Sequence, residues 1–195
     1  SYMSPEITEV VVVGDITEEE AISSLTFLNE WKIKNVDIPD LPKPKPGDYT
    51  KVYLMDKVGA PQSEIRIGYV SNMTYDATGE YFKTSLMNYS LGGAFNSRIN
   101  LNLREDKGWT YGARSGFSGN DRGSQFTASA GIKASATDSA VVEFIKEIKG
   151  FQEDGVTKDE LNFMRNSIGQ RDARRYETPF QKAGFLGNII RYDLD

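Results

Sequence analysis

The spacing of apolar residues along this chain changes several times, and each change marks an element. Ile7 to Val13 is a dense β-branched run ending at Gly14-Asp15, which predicts a buried strand. Thr17 and Glu20 stand at capping-box spacing, each side chain satisfying a free backbone N–H of the other. Ala21, Leu25 and Leu28 follow at helical intervals, so a helix to about Trp31 is expected. Pro39, Pro42, Pro44 and Pro46 then remove backbone donors and disfavour helix, which predicts an extended linker. Lys51 to Met55 predicts a strand, and Ile65, Ile67 and Tyr69 alternate as a second one. Asp76 is expected to cap a helix carrying Phe82, Leu86 and Tyr89, which Gly92-Gly93 interrupts. A further helix from about Phe95 places Ile99 and Leu103 on one stripe and ends near Gly108.

From Tyr111 the period becomes two. Ala113, Ser115 and Phe117 alternate, then Phe126, Ala128, Ala130 and Ile132, with a hairpin connection at Asn120-Asp121-Arg122-Gly123. The helical period returns with Val141, Phe144, Ile145 and Ile148 on one face. Thr157 with Glu160 opens another helix through Leu161, Met164 and Ile168, and Thr178-Pro179 opens a last one. This order predicts an α+β fold: a mostly antiparallel sheet with helices packed on one face. Residues 1–34 form a strand-helix unit, 35–48 a proline-rich linker and 49–195 the main domain.

Composition narrows the chemistry. No apolar run approaches the roughly 20 residues of a membrane span, so no membrane segment is expected. The net charge of −5 argues against nucleic acid, whose phosphates call for a basic surface. The 195 residues include no Cys and no His. Zinc sites are built mainly from those residues, and Ser-His-Asp or Cys-His nucleophiles need them. Carboxylates alone can hold a metal, but no Asp-x-Asp-x-Asp-Gly loop is present, so no metal site and no such catalytic residue is expected in this chain.

The stretch from Leu91 to Arg114 is the richest in functional groups. Gly92-Gly93 lets the backbone turn where a side chain could not, leaving the N–H groups of the next helix free to face a carbonyl or an anion. Arg104 is a permanent cation with a planar donor fork, and Tyr111 offers a phenol donor just after a glycine-broken turn. The two could converge on one ligand oxygen, with Gly92, Gly93 and Ser97 as candidate loop contacts. By chemistry alone a plainer account stands beside this one. Gly-Gly pairs commonly just end helices, single arginines are usually solvated, and strand tyrosines commonly pack. Trp109 fits either a peptide subsite or an edge-strand aromatic.

The same stretch resembles the second-half signature of the pitrilysin/insulinase family, which includes the mitochondrial processing peptidases. The pattern Leu-Gly-Gly-x-Phe-x-Ser-Arg is filled by Leu91, Gly92, Gly93, Phe95, Ser97 and Arg98. Leu-Arg-Glu-x-Lys-Gly-x-x-Tyr-Gly follows at Leu103, Arg104, Glu105, Lys107, Gly108, Tyr111 and Gly112. Weaker matches occur at Val12-Val13-Gly14-Asp15 and from Ala60 to Gly68. The resemblance implies one of two similar halves that enclose a chamber. The first half would carry the zinc motif His-x-x-Glu-His, and this C-terminal half would have lost it. Arg104 and Tyr111, seven residues apart, would bind the scissile peptide, while zinc, water and general base come from a catalytic half or subunit.

By the same resemblance, the unit 1–34 closes the preceding half, and the main domain is cut short at Asp195 of a closing helix and strand. Glu9 to Val13 is then expected to join the main sheet of its own chain or of a neighbouring copy. A non-enzymatic assembly subunit and a stand-alone peptide-binding domain are the alternatives to a peptidase half.

Overall fold

Strict alternation in one segment organises the sheet. The computed structural model of the protein describes residues 2–172 and 174–194. The chain ends named above, Ser1 and Asp195, lie outside the described residues. In chain order the strands are β1 (Gln62–Ser71), β2 (Ala113–Gly119) and β3 (Ser124–Lys133). The helices are α1 (Glu18–Ser24), α2 (Glu80–Asn88), the single turn α3 (Arg98–Asn100), α4 (Thr137–Asp154), α5 (Lys158–Asp172) and α6 (Pro179–Tyr192). β3 lies between β1 and β2 and is antiparallel to both. Its register places Ala130 between Ile65 and Ala113, and Phe126 between Tyr69 and Phe117. Phe126, Ala128, Ala130 and Ile132 therefore point to one face, where they are buried with Ile65, Ile99, Leu103 and Phe144. The opposite face carries Glu64, Arg66, Arg114, Ser129 and Gly131.

The chain forms two compact units. One comprises Ser1–Pro42 with Gly169–Asp195, the other Lys43–Ile168. The sheet, its core and the candidate site all belong to the second. In the first unit, the Ser4 hydroxyl accepts from the Lys34 N–H at 3.1 Å, and the rings of Tyr176 and Phe185 meet edge to face at 4.9 Å. Three of the four expected caps form: Thr17 with Glu20, Thr157 with Glu160, and Thr178, which pairs with Gln181.

Several expectations are corrected. The strand over Ile7 to Val13 does not form; a short 3₁₀ turn, Pro5–Ile7, precedes residues without regular structure. Glu9 to Val13 is no part of the sheet of this chain, because β-branched residues favour a strand only where another strand completes their hydrogen bonds. The strand over Lys51 to Met55 is likewise absent, and Leu54 is 91% exposed. Asp76 does not cap the helix. Its carboxylate accepts from the N–H groups of Thr78 and Gly79 at 3.0 and 2.6 Å, and α2 starts one turn later from Gly79. Those backbone bonds, Thr78 foremost, hold its carboxyl below the usual range. On α4 the buried stripe is Ala140, Phe144 and Phe151, with Ile148 partly covered, while Val141 and Ile145 lie on the exposed flank.

Candidate functional site

Gly92-Gly93 ends α2 as expected, but through a widened π-helical turn at Tyr89–Gly93, after which Ala94 is extended. The helix expected from Phe95 is the turn α3 followed by a second π-helical stretch, Leu101–Asp106, which closes at Gly108 with φ +61°. A π-turn carries one extra residue, shifting the helical face on either side of it, and is often found where a side chain must be re-aimed. Here the two turns flank an open cleft of about 550 Å³.

One wall of the cleft is Gly92, Gly93 and Phe95, the other Tyr111 and Gly112 at the entry to β2. Arg104 reaches it from the second π-turn. The floor is the helix-free face of the sheet, with Ser129 and Gly131 flanked by Glu64 and Arg114. Four of the five residues singled out from the sequence thus meet at one cleft. Ser97 does not line it: it is fully buried at the start of α3, and its hydroxyl has no hydrogen-bond partner among the described residues. Trp109 packs against the core, its carbonyl accepting from the Lys133 N–H at 2.9 Å, and is not part of the lining.

The guanidinium of Arg104 lies 4.4 Å from the centre of the Phe95 ring, and its Nε is 3.4 Å from Glu105. These contacts orient it while leaving most of its donors available. Tyr111 is 90% exposed and makes no side-chain hydrogen bond among the described residues. The site thus presents a cation and a phenol donor to a ligand, suited to carbonyl or carboxylate oxygens.

Three buried asparagines hold the frame, and sequence reading passed over them because Asn carries no periodic signal. Asn88 donates to the Ser115 carbonyl at 2.9 Å and accepts from the Ser115 hydroxyl at 2.6 Å, joining α2 to β2. Asn100 donates to the Phe95 carbonyl at 2.7 Å and accepts from the Ala113 N–H at 2.9 Å, so one amide links both walls. Asn102 donates to Glu143 and Glu147 on α4 at 2.8 and 2.6 Å, tethering the π-turn that carries Arg104. That bond, with Lys146 and Lys107 nearby, holds the Glu143 carboxyl below its ordinary range despite desolvation.

The other arginine of the motif does different work. Arg98 donates to both oxygens of Glu160, at 2.5 and 2.8 Å, and to the Gly155 carbonyl at 2.8 Å. Arg98 foremost, then the Thr157 backbone and side chain, lower the Glu160 carboxyl to about 2 against the opposing pull of burial. Arg98 ties α3 to α5 and is not a cleft residue.

A zinc ion does not fit this chain. It has no His or Cys, and among the described residues no three acidic side chains converge.

A family described as peptidase M16 inactive domain matches residues 1–168. No curated protein matches the chain. Among solved structures, a peptidase M16 inactive domain from Pseudomonas fluorescens superposes with a TM-score of 0.73 at 18% identity, covering 93% of this chain and 43% of that one. A protease from Helicobacter pylori gives 0.68 at 20% identity, covering 93% and 44%. The periplasmic protease PqqL from Escherichia coli gives 0.65 at 14% identity, covering 92% and 20%. This chain therefore spans less than half the length of these structures, and the likeness is one of fold.

Proposed function

Since this chain belongs to the peptidase M16 inactive-domain family, we propose that it is the substrate-contacting half of a metalloendopeptidase, paired with a catalytic half that supplies zinc. The observation that carries this reading is the convergence of Arg104 and Tyr111 on one glycine-walled cleft. Gly92 and Gly93 form one wall of the cleft, along which the peptide backbone lies. The Arg104 fork binds carbonyl oxygens of the peptide. The Tyr111 hydroxyl donates to the scissile carbonyl oxygen as negative charge develops there. Such donors act mainly on the transition state, so their loss appears in turnover more than in ground-state binding. Asn100 acts as a positioning residue, because it sets the distance between the two walls.

The test is made in the full-length protein with its catalytic half. Arg104→Ala and Tyr111→Phe are expected to lower kcat on a fluorogenic peptide about 100- to 1,000-fold, the effect typical of losing an oxyanion donor, with an unchanged melting temperature. Full activity in both variants overturns the reading and leaves the chain an assembly subunit.

A further inference from the structure

Arg114 has no part in the chemistry above, yet it lines the same cleft. It stands on β2 on the helix-free face, exposed, opposite Ser129 in the β3 register. Ser129 is in turn opposite Arg66 on β1, so the three residues share one cross-strand row. The neighbours on the cleft floor and walls (Gly112, Ala113 and Gly131) are short, leaving the space beside the guanidinium open.

The charge inventory of the cleft is uneven. Its ionised lining residues are Arg104, Arg114 and Glu64. Glu64 leans towards Arg66, 3.6 Å from its Nε, and Arg66 lies outside the lining. Arg104 is part-engaged by Glu105. Arg114 makes no ion pair or hydrogen bond among the described residues. The cleft therefore holds an excess of positive charge in a chain whose net charge is −5, and its uncommitted cation sits on an open floor. A guanidinium presents two parallel donors that match a carboxylate.

We infer that the cleft selects peptides bearing a carboxylate close to the bound segment, and that Arg114 is the specificity-determining residue that receives it. The carboxylate is an acidic side chain or the C-terminus of the peptide; both offer the same chemistry. The inference rests on the cleft being a peptide site, as proposed above.

Competition binding to the full-length protein, held inactive with a chelator, tests it. One peptide pair differs only in Glu against Gln, a second only in a free C-terminal acid against its amide. Wild type is expected to prefer one acidic member about fivefold, the order set by a solvent-accessible ion pair, and the preference shrinks with added salt. Whichever pair shows it identifies the source of the carboxylate. Arg114→Gln removes the preference, and Arg114→Glu transfers it to a peptide with Lys at that position. Equal binding within both pairs, while Arg104→Ala still cripples turnover, overturns this inference and leaves the peptide-site reading standing. A preference that survives in Arg114→Glu also overturns it. Absence of binding by every peptide removes the earlier reading, and this one falls with it.

Discussion

A Cβ at position 92 would collide with the hydroxyl and the backbone N of Ser115, in a part of the fold that Asn88 already clamps. The backbone side of that collision cannot swing away, so Gly92→Ala forces β2 and the π-turn apart. A loss of about 2 kcal/mol is expected, in the range of overpacking a buried site, readable as a lower urea midpoint at unchanged slope. Glu160 gives a pH signature. Its carboxyl titrates at about 2 in the fold against an ordinary 4.5, so the contribution is fully present above about pH 4.5 and is lost as pH falls through about 2. In Glu160→Gln that acid-sensitive contribution is absent: the stability gap between wild type and variant, followed by urea denaturation, is expected to close as pH falls from 4.5 to 2. A gap that stays constant over that range would show that the ion pair does not form in solution.

At the scale of elements, the strength of a local signal depended on whether its partners were local too. Capping boxes need only residues three apart; the two expected ones, Thr17 with Glu20 and Thr157 with Glu160, formed, and the expected N-cap Thr178 completed a third with Gln181. Thr178→Ala removes the acceptor for the Gln181 N–H, and a cost near 1 kcal/mol is expected from its melting curve. Strands need partners far along the chain. The expected strands at 7–13 and 51–55 have none in the sheet, whereas 62–71 and 113–133 supply one another. Amides of Val11 to Val13 are therefore expected to exchange with deuterium far faster than those of Ala128 to Ile132 in the central strand. Protection of both segments alike would mean that the first run finds a strand in solution. Leu54→Ser, at a site so exposed, should change stability by less than about 0.5 kcal/mol.

At the scale of the whole molecule, this chain brings a cation and a phenol to one cleft but has none of the imidazole or thiolate ligands from which zinc sites are mainly built. Elemental analysis after dialysis should find well under one zinc per chain, and a chelator should leave the melting temperature unmoved. Stoichiometric zinc would place ligation on carboxylates alone and undo the division of labour proposed between halves.

Properties set by residue type and short spacing were legible before any tertiary contact was known. These were the hairpin at 113–133, the three capped helices, the lack of imidazole and thiolate, and the motif that brings Arg104 and Tyr111 into one neighbourhood. Tertiary structure alone decided which arginine serves which end. Arg98 and Arg104 stand in the same motif, yet one is held by Glu160 and the Gly155 carbonyl while the other faces the cleft. It also buried Ser97, brought Arg114 and Glu64 to the cleft floor, and made Asn100 the link between its walls. Each of these depends on contacts between elements distant along the chain, which periodicity does not encode. Pairing β3 with strands on both sides brings residues 64, 114 and 131 to the cleft floor, and the bonds of Asn88 and Asn102 hold the turns that bring residues 92 and 104 to it.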